Sequence, residues 1–201
     1  ATLRRQRQMC IRDRSLMWDF SEIKGSKGTK ISENIGLMPG ARFFPDAKLN
    51  YAENLLRAAD NAIAIEEFRE DGFSNALTRK ELENKALKMA GWMKSKGVKK
   101  GDRVCAYMPN CSETVISMLA TSALGAIFSS CSSDFGIEGV IDRFEQIEPK
   151  VIIAADGYLY NGKVIDRSEE IKKISKRLPS LEHIIVVEYI NSSKDIDKVL
   201  N

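Results

Sequence analysis

The chain has 201 residues, of which 43% are hydrophobic and 29% are charged. This length and hydrophobic content suffice for one sizeable core and exclude a disordered tail. No apolar run reaches the roughly 18 residues that a membrane-spanning helix needs, and no secretory signal opens the chain. We therefore expect a soluble, cytoplasmic protein that does not bind a membrane.

The net charge of +3 arises in the first fourteen residues, which hold five arginines and one acid, Asp13. The rest of the chain has one more acidic than basic residue, so we expect no nucleic-acid partner. Arg4 to Arg14 match, codon by codon, the translation of a transposase sequencing adapter. We interpret residues 1–14 as an adapter-derived or disordered leader that packs against nothing, and the chain as a fragment. A natural basic arm for an acidic partner is the alternative.

Residues 15–49 combine glycines, prolines and scattered aromatic side chains without a sustained hydrophobic period, which predicts an irregular segment. A short helix is predicted within residues 50–57. Ala62 to Phe68 and Phe73 to Leu77, joined by the turn signal Asp71-Gly72, predict a β-hairpin.

The region after this hairpin alternates amphipathic helices with short apolar strands. Thr78 and Glu81 form a capping-box signature at the start of the first helix, and Asn110 with Glu113 is the predicted cap of the second. The predicted strands are Arg103 to Met108, Ala126 to Cys131, Val151 to Ala155 and His183 to Val187. This order predicts a parallel sheet of βαβ units covered by helices, so we expect residues 50–201 to form one α/β domain.

Metal, nucleotide and hydrolase motifs are absent from the sequence. The four cysteines form no C-x-x-C pair, and the single histidine, His183, cannot complete a zinc set. No G-x-G-x-x-G, P-loop or G-x-S-x-G sequence follows a predicted strand. His183 begins an apolar strand, where a structural histidine is favoured over a catalytic one. We therefore assign no catalytic and no metal-binding residue to the chain.

Two loops at the predicted carboxyl ends of the strands are candidates for ligand contacts, because ligands of open parallel sheets bind there. The first, Ser129 to Gly136, is rich in hydroxyl groups and precedes a helix whose N-terminus could hold an anion. N-capping by Ser133 or Asp134 is the favoured alternative. Cys131 has no cation beside it in sequence, so we expect a reduced, half-buried thiol.

The second loop, Asp156 to Lys163, contains the strong turn signal Asn161-Gly162. Lys163 would project from this turn as a compact cation able to meet a phosphate. On these residues alone, a solvated lysine after a tight turn remains the favoured interpretation.

Several segments together resemble the front part of acetoacetyl-CoA synthetases, a branch of the adenylate-forming superfamily. The resemblance extends from about Leu16 to the end of the chain. Its general part, Gly101 to Val104, Met108 to Asn110 and Leu124 to Ala126, resembles the whole superfamily. Two segments are more specific and favour the acetoacetate branch: Ser129 to Gly136 and Asp156 to Tyr158. Further segments that match this branch are Met38 to Leu56, Arg143 to Lys150 and the rest of Asp156 to Lys163.

The resemblance implies part of the N-terminal domain of a two-step ligase. In such enzymes acetoacetate attacks the α-phosphate of ATP to form an acyl-adenylate and pyrophosphate, and the thiol of CoA then displaces AMP, with Mg²⁺ assisting the first step. The family's phosphate loop, ribose-binding aspartate, hinge and catalytic lysine would lie beyond Asn201. We therefore expect this chain to be inactive alone and to bind neither ATP nor Mg²⁺ by itself.

One binding element of the family has a counterpart here. Related short-chain acyl-CoA synthetases have Arg-Gly-Gly-Arg at this position, and its arginines meet CoA phosphates. The matching residues are Tyr160 to Lys163, so the resemblance implies a CoA contact at Gly162 and Lys163, whereas Tyr160 and Asn161 depart from the pattern. Two alternative interpretations remain: an acetyl- or propionyl-CoA synthetase fragment, or a non-catalytic α/β binding module.

Overall fold

The computed structural model describes residues 12–190. The chain divides into two compact units between Leu55 and Leu56. Most of the predicted leader, residues 1–11, lies outside the described residues, as do residues 191–201. Within residues 12–190, no helix is both long enough and apolar enough to cross a bilayer.

The first unit contains short elements. Helix α1 includes residues 12–20, and its Trp18 is 8% exposed and packs on Phe44 with ring centroids 5.1 Å apart. The following segment forms two small antiparallel ladders, β1 with β4 and β2 with β3. The elements are β1 (Gly25–Ser26), β2 (Ser32–Glu33), β3 (Arg42–Phe43), β4 (Lys48–Leu49) and α2 (Tyr51–Leu55).

Two expectations for this unit need correction. Residues 15–20 are helical, although residues 15–49 were expected to be irregular throughout. The expectation that residues 1–14 pack against nothing is wrong at Arg14, whose guanidinium carbon lies 3.6 Å from the centroid of the Phe43 ring. A guanidinium over an aromatic face is attracted by the ring quadrupole. The sequence offered no signal for this contact, because it joins residues far apart in the chain.

The second unit is built on a four-stranded parallel sheet in the order β12-β9-β7-β8. This confirms the predicted α/β fold and its alternation of strands and helices. The elements are β5 (Ile63–Phe68), β6 (Ser74–Thr78), α3 (Arg79–Ser95), β7 (Arg103–Tyr107), α4 (Ser112–Ala123), β8 (Ile127–Cys131), α5 (Ile137–Glu145), β9 (Val151–Ala155), β10 (Gly157–Tyr160), β11 (Lys163–Asp166), α6 (Ser168–Arg177) and β12 (His183–Val187).

The hydrophobic core of this unit lies on both faces of the sheet. Successive side chains of a strand point to opposite faces. Val104 and Ala106 of β7 accordingly pack with residues of α3 and α4, such as Met93 and Ala120. The other face of the sheet packs against α5 and α6. The main contributors to that second cluster are Cys105, Tyr107, Val140, Phe144, Ile152, Ile171 and Ile174. Helices on both faces explain why β9 is a continuous apolar run rather than an alternating one.

The predicted capping box at the start of α3 is confirmed. The Thr78 hydroxyl oxygen accepts a hydrogen bond from the Glu81 N–H at 3.2 Å, and the Glu81 carboxylate accepts one from the Thr78 N–H at 2.8 Å. The hydrogen bond from the Thr78 backbone is the main reason why the pKa of Glu81 is lowered. The predicted C-terminal signal is also present, since Gly97 follows the helix with a φ of +79°.

The predicted cap of α4 is wrong. The residue at its N-cap is Cys111, and this side chain makes no capping hydrogen bond. The cap comes instead from Glu67 on β5, whose buried carboxylate accepts hydrogen bonds from the Ser112 N–H, at 3.0 Å, and from the Ser112 hydroxyl. A carboxylate at a helix N-terminus satisfies unpaired N–H groups and interacts favourably with the helix dipole. Asn110 and Glu113 could be read from local spacing, whereas Glu67 lies 45 residues away in sequence.

The neighbouring glutamates of β5 provide a test of this cap. Glu67→Ala should lower the free energy of unfolding of the chain by about 1 to 3 kcal/mol, because it leaves a buried N–H without an acceptor. Glu66→Ala removes the same charge from an exposed position of the same strand and should change it by less than about 0.5 kcal/mol. Urea denaturation of both variants checks the difference, and equal losses would contradict the assigned role of Glu67.

Candidate functional site

The carboxyl ends of the parallel strands lie at one edge of the sheet. Tyr107 ends β7, Cys131 ends β8 and Val187 ends β12, and the last residue of β9, Ala155, pairs with Val187. The segments that follow these strands therefore leave the sheet at the same edge, where ligands of open α/β folds bind. This is the edge at which the sequence predicted both candidate loops.

The loop after β8 is held by two side chains from neighbouring elements. The hydroxyl of Tyr107 lies 2.9 Å from the Ser133 carbonyl oxygen and 2.8 Å from the Phe135 carbonyl oxygen, to either of which it can donate. Burial raises the pKa of Tyr107 to about 12, so the hydroxyl keeps its proton at neutral pH. Arg167, which precedes α6, donates from Nε to the same Ser133 oxygen at 3.0 Å.

The start of α5 differs from the expectation of a side-chain cap. Its N-cap is Gly136, and no side chain caps the helix, so the predicted capping by Ser133 or Asp134 is wrong. The Ser133 hydroxyl is buried without a hydrogen-bond partner among residues 12–190, and Asp134 is exposed. The carbonyl oxygen of Ser133 is tied to Tyr107 and Arg167, which keeps this residue in the loop beneath the helix start. The suggested anion site at this helix stays a prediction.

Neither Cys131 nor His183 has the surroundings of a reactive group. Cys131 is 7% exposed, and burial raises the pKa of its thiol to about 11, so it is protonated and more deeply buried than expected. His183 begins β12, as predicted, and its ring packs edge-on against Trp92 with centroids 6.0 Å apart. Both residues therefore contribute packing at their positions in the sheet.

The segment after β9 is a β-hairpin formed by β10 and β11, and its strands were not predicted. The predicted turn is present: Asn161 has a φ of +51° and Gly162 a φ of +71°, the two positive values that a type I′ hairpin turn requires. Lys163 lies directly after the turn and pairs with Tyr160 across the hairpin. Its side chain is exposed and forms no ion pair with any residue that the structure describes.

The turn of the β5–β6 hairpin contacts this β10–β11 turn. The carboxylate of Glu70 accepts a hydrogen bond from the Gly162 N–H at 2.9 Å. Arg69 anchors the same turn, because it donates to the Tyr189 carbonyl oxygen at 2.8 Å and forms an ion pair with Asp71 at 2.7 Å. Glu70 was missed by sequence reasoning, since it lies 92 residues from Gly162 and belongs to no local motif.

The segment after β12 is fixed by Asp156. This aspartate is fully buried directly after β9, and its Oδ1 accepts hydrogen bonds from the N–H groups of Tyr189 and Ile190 at 2.7 and 2.9 Å. Through Tyr189 and Arg69, the end of β9 is thereby connected to the β5–β6 turn. The β5–β6 turn that is held in this way contacts the β10–β11 turn through Glu70 and Gly162.

An apolar groove of about 440 Å³ lies between α3, α4 and the edge strand β12. Its polar lining residues are Glu113 and Ser117, and the Ser117 hydroxyl already donates to the Glu113 carbonyl oxygen at 2.6 Å. The apolar lining residues are Met89, Trp92, Ile116, Ile184, Ile185 and Val187. The groove offers few polar groups to orient a small ligand, so it is not part of the candidate site.

The described residues form no cluster of protein side chains that could hold a metal ion without help from a ligand. Among residues 12–190, no three His, Cys, Asp or Glu side chains lie close enough together to hold a metal ion. The groups at this edge that suit a ligand are a lysine, backbone N–H groups and the loop before α5. They suit the binding of an anion, since a lysine ammonium and backbone N–H groups all donate hydrogen bonds.

Comparison with known proteins identifies the family. The model of the family described as AMP-binding enzyme matches residues 53–199. The chain belongs to the AMP-binding enzyme family. The matched range includes most of the α/β unit and both candidate loops, which confirms the resemblance to adenylate-forming enzymes.

The relatives within this AMP-binding family include acetoacetyl-CoA synthetases. One from Rhizobium meliloti (strain 1021) is 42% identical over 88% of the chain, and one from Xenopus tropicalis is 41% identical over 90% of it. The solved structure of acetoacetyl-CoA synthetase from Streptomyces lividans matches 84% of the chain with a TM-score of 0.80 and 37% identity. The chain spans 27% of the length of each of these three proteins.

The contact between Tyr107 and the loop after β8 can be tested with a matched pair of variants. Tyr107→Phe removes a buried donor and should cost about 1 kcal/mol of stability, with faster amide hydrogen exchange in residues 132–136. Tyr160→Phe removes a hydroxyl that has no partner in the described part of the chain, from a residue that is 65% exposed, and should change neither quantity. Unchanged exchange in Tyr107→Phe would contradict the holding role.

Proposed function

We propose that the chain is the front segment of an ATP-dependent acetoacetate–CoA ligase, which converts acetoacetate, ATP and CoA into acetoacetyl-CoA, AMP and pyrophosphate. The observation that carries this proposal is that all three relatives described above are acetoacetyl-CoA synthetases. They are 37 to 42% identical to the chain over most of its length. Acetoacetate, ATP and CoA are accordingly its proposed small-molecule partners. The cytoplasm is its proposed location.

The proposed reaction has two steps. A carboxylate oxygen of acetoacetate attacks the α-phosphorus of ATP, and pyrophosphate leaves with the bonding electron pair. The sulfur of CoA then attacks the acyl carbon, loses its proton, and AMP leaves. Mg²⁺ would neutralise charge on the phosphates in the first step. The role we assign to this segment is to bind and orient a substrate.

The contribution we assign to this segment is a contact to a phosphate of CoA by Gly162 and Lys163. Two features support this contact: the Lys163 side chain is exposed directly after the turn, and the Gly162 N–H donates to a carboxylate oxygen, that of Glu70, at 2.9 Å. A phosphate can take charge from the ammonium and a hydrogen bond from the backbone at the same time. The turn also has room for a ligand, since a Cβ added at Gly162 would meet no atom within 4 Å.

Pyrophosphate exchange tests the proposed activity. The 201-residue chain alone should support no acetoacetate-dependent exchange of pyrophosphate into ATP, because it spans 27% of the length of the relatives that it matches. The full-length protein that carries this segment should support exchange, with acetoacetate well above acetate and propionate. The controls are a sample without protein and a sample of heated protein, neither of which should show exchange. Exchange by the chain alone, or a preference for acetate or propionate, would contradict the proposal.

The role of Lys163 is tested by kinetics of the full-length ligase. Lys163→Ala should raise the KM for CoA about tenfold, which corresponds to about 1.4 kcal/mol and is the lower end expected for an exposed charge-assisted contact. Pyrophosphate exchange does not use CoA and should be unchanged. Lys173→Ala removes an exposed lysine from α6 and serves as the control. An unchanged KM for CoA, or an equal loss in both half-reactions, would remove Lys163 from the site.

A further inference from the structure

The carboxylate of Glu70 accepts the hydrogen bond of the Gly162 N–H. An anionic ligand of the Asn161-Gly162 turn would use the same N–H group. The distance from the Gly162 nitrogen to Oε2 of Glu70 is 2.9 Å, the length of an ordinary N–H···O bond. A carboxylate and a phosphate both accept hydrogen bonds through negatively charged oxygens. The two groups therefore compete for the same N–H.

The position of Glu70 is determined by an anchored turn. Its neighbour Arg69 is only 14% exposed, and its guanidinium lies over the Tyr189 ring, 4.2 Å from the centroid. The backbone of the turn closes through a hydrogen bond from the Arg69 N–H to the Phe73 carbonyl oxygen at 2.9 Å. The Oδ1 atom of Asp71 accepts a further hydrogen bond from the Phe73 N–H at 3.1 Å. The backbone that carries Glu70 is consequently held in place, and from it the exposed Glu70 carboxylate reaches the Gly162 N–H.

Two side chains of opposite charge, Glu70 and Lys163, lie at the Asn161-Gly162 turn or contact it. Neither Glu70 nor Lys163 forms an ion pair within residues 12–190, whereas the charge of the adjacent Asp71 is paired with Arg69. Glu70 thus brings an unpaired negative charge to the turn that carries the unpaired Lys163 ammonium. We propose that Glu70 imitates the phosphate of CoA and limits the affinity of this turn for that phosphate. This inference rests on the proposed function of Gly162 and Lys163.

The effect of Glu70 has a defined physical signature. A bound phosphate must displace the carboxylate from the Gly162 N–H and then remain close to its negative charge. The site is open to solvent, so the repulsion is modest and is screened within about 10 Å at 0.1 M salt. Removing the charge should improve binding of a phosphate-bearing thiol several-fold, mainly at low ionic strength. A thiol without phosphates should not respond.

The experiment uses steady-state thioester formation by the full-length ligase, with the acyl substrate that supports pyrophosphate exchange. Glu70→Gln keeps the size of the side chain and removes its charge, and it should lower the KM for CoA about threefold at low salt, with a smaller gain at 0.5 M salt. Glu70→Ala should behave alike. Pantetheine, the thiol arm without the nucleotide phosphates, should react equally well with both variants and the unmodified enzyme. Glu66→Gln, on the same hairpin, should leave the KM for CoA unchanged.

Each result decides between the two proposals. A lower KM for CoA in both Glu70 variants, absent with pantetheine and in Glu66→Gln, supports the inference. An unchanged KM in Glu70→Gln together with a raised KM in Lys163→Ala overturns the role of Glu70 and leaves the phosphate contact intact. Unchanged values in both variants remove the turn from the CoA site altogether. An equal change with CoA and pantetheine assigns Glu70 a structural role and overturns the inference.

Discussion

The central strand β9 is the constraint on which the α/β unit depends. All five of its residues are at most 1% exposed, and it pairs in parallel with β7 on one side and β12 on the other. A parallel pair places both carboxyl ends at the same edge, so the segments after all three strands must leave the sheet there. The position of the candidate site follows from this pairing and not from any residue of the site itself.

Buried carboxylates then place the segments that leave the sheet. Asp156 follows β9 directly and binds the backbone after β12, and Glu67 on β5 binds the backbone at the start of α4. A buried carboxylate that accepts backbone N–H groups satisfies donors that would otherwise be costly to bury. Each of these aspartate and glutamate side chains joins elements that lie more than thirty residues apart. Buried hydrogen bonds thus determine where the segments after β12 and before α4 lie at this edge of the sheet.

The features that could be predicted from the sequence are those that depend on residues close together in the chain. The strand β9, the capping box at Thr78 and the turn at Asn161-Gly162 each follow from residues within a few positions of one another, and the structure contains all three. The contacts of Glu67 and Glu70 could not be predicted, because their partners are brought close only by the tertiary fold. The family resemblance supplied Gly162 and Lys163 as candidates. It did not supply the carboxylate that bonds to Gly162.

A carboxylate near the turn, such as that of Glu70, suits the proposed contact between this turn and a phosphate of CoA. The phosphates of CoA do not change during thioester formation, so a protein group that binds them stabilises the substrate, the transition state and the product to a similar extent. Such uniform binding improves capture of CoA but does not lower the barrier of the chemical step, and it retains the thioester product as strongly as the substrate. A lysine whose attraction for the phosphate is not weakened by a nearby negative charge would therefore slow the release of the thioester product. The nearby charge of Glu70 would allow the turn to guide CoA into place while leaving the phosphate contact weak enough for the product to leave.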